Sequence, residues 1–208
     1  MGSSRKTVIL KVDPQKPDGD LIAYGARIIK RGGIVAFPTE TVYGLAANLL
    51  DRKAIDRLYE VKRRFRGKPL TVHISDIKMV GQMGCVIPKK AKTLMDKYWP
   101  GPLTIILKSQ NGSKIGFRMP ANKVALDLIG LSEVPVVAPS ANISGKAPPK
   151  DAKSVLKDFD GKIDAVLDGG RTDVGVESTV VDLTVNPPEI LREGAIKRRA
   201  LLKVLNTR

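Results

Sequence analysis

Four short stretches of this sequence gather hydroxyls, amides and charges at the ends of apolar runs, where an α/β sheet commonly presents its ligand sites. The first is Phe37-Pro38-Thr39-Glu40-Thr41-Val42-Tyr43-Gly44-Leu45. It leaves a strand-like run with two threonine hydroxyls, a carboxylate and a phenol close together. The same threonines could instead cap a turn or a helix. The second runs from Val61 to Ile74 and reads VKRRFRGKPLTVHI, with basic side chains at five of the seven residues from Lys62 to Lys68. Such a run suits a solvated helix end, a nucleic-acid patch, or the wall of a pocket that holds phosphates. Alternation from Leu70 to Ile74 sets Leu70, Val72 and Ile74 on one face, with Thr71 and His73 on the other. There His73, the chain's single histidine, could line a cavity or serve structure alone.

The third stretch, Val136 to Gly145, reads VVAPSANISG: a buried run ending in small, hydroxylated and amide residues. Small side chains let backbone N–H groups approach a ligand, and Ser140, Asn142 and Ser144 add hydrogen-bonding groups. A self-capping Ser/Asn turn has the same composition. The fourth pairs Gly175–Val180 (GVESTV) with Ile190–Gly194 (ILREG), each placing polar groups beside a strand. The standard nucleotide and hydrolase signatures, G-x-x-x-x-G-K-[ST], G-x-G-x-x-G and G-x-S-x-G, are absent from the sequence.

These loops need a scaffold, and the sequence alternates strand-like and helix-like segments. Strands are expected at Thr7–Val12, Ile34–Phe37, Leu70–Ile74, Leu103–Leu107, Ile115–Met119, Val134–Ala138, Ala165–Leu167, Thr179–Leu183 and Glu189–Leu191. Helices are expected at Gly19–Arg31, capped by Asp18 or Asp20, and at Asp51–Arg63, capped by Asp51. Others are expected at Pro88–Tyr98, Asn122–Ile129, Ala152–Phe159 and Lys197–Leu205. This is the pattern of one α/β or α+β domain with helices packed on a sheet.

The formal net charge of +15 favours anionic partners such as nucleotides, RNA or acidic lipid. Lysine and arginine are spread along the chain, and only 4% of residues are aromatic, which argues against a base-stacking RNA sheet. No apolar run is long enough to cross a membrane, and no cleavable secretory leader is expected. The single cysteine, Cys85, cannot form an internal disulfide, and a cytoplasmic location is expected. No cluster of Cys and His has zinc-ligand spacing, so no metal ligands are assigned.

Taken together and in this order, PTETVYGL, the K-x-R of Lys62–Arg64 followed by KPLTVHI, PSANISG, and ESTVVD with ILREG resemble the YrdC-like family. The resemblance runs from about residue 19 to 205, so a single domain over 1–208 is expected, with no second C-terminal domain. It implies a twisted mixed sheet flanked by helices around a large, positively charged concave cavity. It also implies an L-threonylcarbamoyladenylate synthase, joining L-threonine, bicarbonate and ATP and releasing pyrophosphate, with Mg2+ accompanying ATP. The product would pass to a downstream tRNA-modifying transferase complex, and tRNA or double-stranded RNA is a further candidate partner.

Residue by residue, the resemblance implies that Lys62 and Arg64 face the nucleotide phosphates and act catalytically. Lys68, Ser140, Asn142 and Arg192 join them as ATP contacts. Thr39, His73, Arg118, Ala138 and Ser178 are implied as L-threonine contacts. Two positions depart from the family pattern. Phe65 stands where proline is usual, which frees φ there, and Lys68 stands where a polar residue is usual. Rival expectations are a non-catalytic RNA-binding module, and a carbamoyl-adenylate transferase like the related domain of hydrogenase-maturation proteins. The latter lacks its accompanying acylphosphatase and zinc-finger segments here.

Overall fold

The computed structural model describes residues 6–206. In chain order its elements are β1 (Val8–Lys11), α1 (Gly19–Lys30), β2 (Val35–Phe37), β3 (Gly44–Asn48), α2 (Arg52–Val61), β4 (Thr71–His73), α3 (Lys78–Gln82), α4 (Lys89–Tyr98), β5 (Leu103–Lys108), β6 (Lys114–Arg118), α5 (Lys123–Ser132), β7 (Val136–Val137), α6 (Ala152–Phe159), β8 (Ala165–Asp168), β9 (Thr179–Asp182), β10 (Glu189–Arg192) and α7 (Arg198–Leu205). Four helices start where short polar side chains satisfy free backbone N–H groups. Asp18 accepts from the N–H groups of Asp20 and Leu21, Asp51 from Lys53 and Ala54, Asn122 from Ala125, and Asp151 from Ser154. Helix α1 stops at Gly32, whose φ of +82° suits glycine.

The strands form one mixed sheet in the order β1-β8-β2-β3-β7-β4-β6-β5-β9-β10. β1 and β2 flank β8 in parallel, β4 runs parallel to β6, and β5 parallel to β9; the other pairs are antiparallel. Alternating side chains feed two cores. Val35, Phe37, Ala46 and Val136 point to one face, under Ile22 and Ile29 of α1 and Leu128 and Ile129 of α5. Ile34, Ala36, Leu45, Ala47, Val72 and Val137 point to the other, under Leu58 of α2, Leu94 of α4, Val155 of α6 and Leu201 of α7. Covered on both faces, the central strands show no clean apolar–polar alternation. That explains why β3, a run of small residues reading GLAAN, was not expected from sequence. The short α3 lacks the length to show a helical period.

The topology brings loops distant in sequence to one sheet end. The β2–β3 connection, Pro38 to Tyr43, is buried throughout. Its backbone is paired by neighbours rather than water: the Val174 N–H donates to Glu40 O at 3.0 Å, Gly175 N–H to Thr41 O at 2.8 Å, and Ala141 N–H to Tyr43 O at 2.7 Å. In β4 the expected facing holds. Val72 and Ile74 enter the core, while His73 lies on the other face, in register with Arg118 of β6. Among the described residues, no helix is long and apolar enough to cross a membrane.

The turn after β10 is held by Thr179, whose Oγ1 accepts from the N–H groups of Gly194 and Ile196 and donates to Ile196 O. A Cβ at Gly194 would lie 2.2 Å from Glu177 O and 2.7 Å from Ser178 O, both backbone atoms that cannot swing aside. Gly194→Ala is expected to destabilise the domain by about 1–3 kcal/mol through overpacking. Thermal unfolding checks this, with an expected fall in Tm of about 2–4 °C per kcal/mol for a domain of this size.

Candidate active site

The buried β2–β3 loop, the start of β4, the end of β6 and the segments beside β7, β9 and β10 enclose a hollow of about 100 Å3. Eight of the eleven residues expected from sequence line it: Thr39, Arg64, His73, Arg118, Ala138, Ser140, Ser178 and Arg192. Thr71, Thr104, Pro139, Tyr43 and Glu177 complete much of the wall.

Arg118, at the end of β6, is only 5% exposed. Its Nη2 lies 2.9 Å from Glu40 Oε2 and donates to Thr41 Oγ1 at 2.7 Å. Burial pulls the guanidinium below its ordinary range, and Glu40 opposes that pull. Arg118 Nε has no hydrogen-bond acceptor among the described residues, and neither Glu40 carboxylate oxygen receives a well-aligned donor. The cation is therefore held in place with donor capacity unspent.

Thr39 Oγ1 donates to Val42 O at 2.7 Å and lies 2.9 Å from Thr41 Oγ1. The cap reading of this loop and the ligand reading are thus compatible: the hydroxyl closes its own turn and still lines the hollow. His73 is buried, with Nδ1 3.5 Å from Thr71 O. Burial, with the Arg118 charge adding, pushes its imidazole down to about 3. It is neutral at physiological pH and offers a hydrogen bond rather than a charge.

At the other side, Arg192 donates from Nε to Ser178 O at 3.1 Å and from Nη2 to Ser178 Oγ at 3.2 Å. Ser178 Oγ also lies 2.9 Å from Thr104 Oγ1. Arg192 Nη1 pairs with Glu177 Oε1 at 3.0 Å. Arg64 donates to Pro69 O at 3.0 Å, and burial lowers its pKa.

Lys62, Lys68 and Asn142 fall outside the lining. The five-charge run divides by direction rather than forming one wall. Arg64 alone of the five lines the hollow. Arg63, Arg66 and Lys68 are exposed, and Arg66 pairs with Asp56 at the surface. Lys62 turns inward and is 1% exposed. Its Nζ donates to the carbonyls of Ser140 and, at 2.6 Å, Asn142, while its own carbonyl accepts from the Ser144 N–H at 2.8 Å. Burial first, then Arg64, pulls its ammonium down to about 7, against Glu177. Asn142 Nδ2 donates to the carbonyls of Ile143 and Lys146, tightening the same loop. The turn at Phe65 is closed without proline, by Lys68 N–H to Phe65 O at 3.0 Å and Tyr59 Oη to Lys68 O at 2.9 Å.

Two acids went unassigned from sequence. Glu40 and Glu177 sit inside two of the quoted stretches, and carboxylates flanked by sites for anions were the available signal. Among the described residues, no group of three or more His, Cys, Asp or Glu could hold a metal ion.

Comparison with known proteins gives a family. Residues 27–194 match the family model for Sua5, YciO and YrdC proteins, described as "Telomere recombination". A threonylcarbamoyl-AMP synthase of Pyrococcus abyssi is 47% identical over 88% of this chain and 57% of its own. One from Bacillus subtilis is 42% identical over 93% of this chain and 57% of its own. The crystal structure of P. abyssi Sua5 complexed with L-threonine superposes with a TM-score of 0.91 at 44% identity, covering 96% of this chain and 61% of that one. This chain thus spans less than two thirds of the length of these relatives. The extent of the match, and the motifs that line the hollow, assign the chain to the family that Sua5, YciO and YrdC proteins share.

Proposed function

We propose that this domain makes threonylcarbamoyl-AMP and pyrophosphate from L-threonine, bicarbonate and ATP. The observation that carries this reading is the convergence of Thr39, His73, Arg118, Ser140, Ser178 and Arg192, drawn from six separate segments of loop and strand end, on one hollow. Two relatives of the same family are named threonylcarbamoyl-AMP synthases, and the P. abyssi Sua5 was crystallised with L-threonine. The product would feed a downstream transferase complex that modifies tRNA in the cytoplasm.

The chemistry asks for no protein nucleophile. The neutral amine nitrogen of threonine bonds to the carbon of bicarbonate while a C–O bond of bicarbonate breaks and water leaves, giving a carbamate. A carbamate oxygen then bonds to the α-phosphorus of ATP while the bond to pyrophosphate breaks. Both partners are anions, so the protein's work is to hold them close against their repulsion. In this reading the hollow is the amino-acid end of a larger basic cavity. Arg118 takes the threonine carboxylate, with Thr39, Ser178, the Ala138 backbone and neutral His73 completing that end. Arg64, Arg192, Ser140 and Asn142 serve the nucleotide. Paired N–H donors suit arginine to both carboxylate and phosphate oxygens. Magnesium arriving with ATP would neutralise phosphate charge. With no acidic cluster among the described residues, phosphate oxygens and water would supply most of its ligands.

Lys62 enters this reading as a positioning residue and not as a direct phosphate contact, because it is buried outside the lining and its ammonium donates to the Ser140 and Asn142 carbonyls. Lys68, exposed beside the turn, is left free for solvent or for a larger anion.

The direct test is pyrophosphate release. It is expected to require L-threonine, bicarbonate and ATP together. Release that needs carbamoyl phosphate, or RNA retention with no release at all, would replace this reading with one of its rivals. A second expectation concerns Lys62→Met, which keeps the stem and removes the donor. Stranding the buried Asn142 carbonyl, and leaving the Ser140 carbonyl with the Asn142 N–H as its remaining donor, should cost about 1–3 kcal/mol of stability. The KM for ATP should rise more than that for threonine. Full thermal stability in the variant would return Lys62 to a surface-type phosphate contact.

A further inference from the structure

Glu177 is the one acidic side chain among those lining a hollow whose other charges are Arg64, Arg118 and Arg192. A carboxylate there weakens the field that would attract carboxylate, bicarbonate and phosphates, so its presence needs a cationic ligand group to explain it. The ion pair to Arg192 does not suffice. It runs through Oε1 alone at 3.0 Å, it is partly solvated, and Arg192 is already anchored twice on Ser178. Screened pairs of this kind contribute little to stability.

Resting on the function proposed above, we infer that Glu177 receives the α-ammonium of the amino-acid substrate, so that the hollow recognises a zwitterion between Arg118 and Glu177. An α-amino acid presents a carboxylate and an ammonium on the same carbon. A site for it needs one buried donor fork and one acceptor within a few ångströms of each other. Glu177 and Arg118 line the same hollow of about 100 Å3, which sets the Glu177 carboxylate near the carboxylate-binding end. The other carboxylate of the region, Glu40, is 7% exposed, lies against Arg118 and is not part of the lining. Glu177 is instead about one-third exposed and adjoins Ser178 in the chain, so it can meet a ligand that enters from solvent. The pairing makes Glu177 a specificity residue: it selects ligands that carry the amine which must later become the carbamate nitrogen.

The test is calorimetric binding in the absence of ATP and magnesium. It compares L-threonine with the dihydroxy acid in which a hydroxyl replaces the α-amine. Wild type is expected to favour L-threonine by about tenfold or more, the scale of one charge-assisted contact. Glu177→Gln should weaken L-threonine by a similar factor and leave the dihydroxy acid unchanged, and Glu177→Asp should recover part of the loss. Equal weakening of both ligands would overturn the inference, as would a loss that appears only when magnesium and ATP are present. Wild type that binds both acids equally would overturn it without any variant. Wild type that ignores L-threonine altogether would overturn the functional reading itself, and this one with it.

Discussion

The site is organised around one buried cation. A guanidinium removed from water loses several kcal/mol of hydration and persists only where partners replace that hydration. Arg118 has such partners in Glu40 and Thr41, both from the β2–β3 loop, and neighbouring segments hold that loop by its own backbone. The pair is not saturated: the Arg118 Nε–H lacks an acceptor, and the Glu40 oxygens lack well-aligned donors. An unsaturated, fixed and desolvated cation is a preformed site for an anion. Its attraction is stronger than it would be at the surface because little water screens it.

The same logic extends across the sheet. Lys62 spends its charge inside the protein, on two carbonyls of the 140–144 loop, and so fixes the loop that offers Ser140 to the hollow. Arg192 does likewise for Ser178. Lys62, which does not line the hollow, and Arg192, which does, each hold a segment that faces it. Preorganisation of this kind lets donors act on developing charge without rearranging during the reaction.

Much of this was legible in the sequence. The facing of His73 followed from alternation in LTVHI, and the helix starts followed from Asp18, Asp51 and the apolar spacing after them. The resemblance named eleven site residues, and eight of them meet in space. What the sequence could not carry was direction. Lys62 and Arg64 are two residues apart, yet one side chain turns into the core and the other lines the hollow. Only the packed helix end and the Ser140–Asn142 carbonyls decide which. The β3 strand was hidden because burial on both faces erases its period. Glu40 and Glu177 acquired meaning only once the arginines around them had converged from distant positions.

The most direct measurement is a crystal structure of this chain grown with L-threonine alone. The account predicts the threonine carboxylate in the hollow, within hydrogen-bonding distance of the Arg118 guanidinium, roughly 2.7–3.2 Å. A threonine bound elsewhere, or one in the hollow whose carboxylate turns away from Arg118, would contradict it.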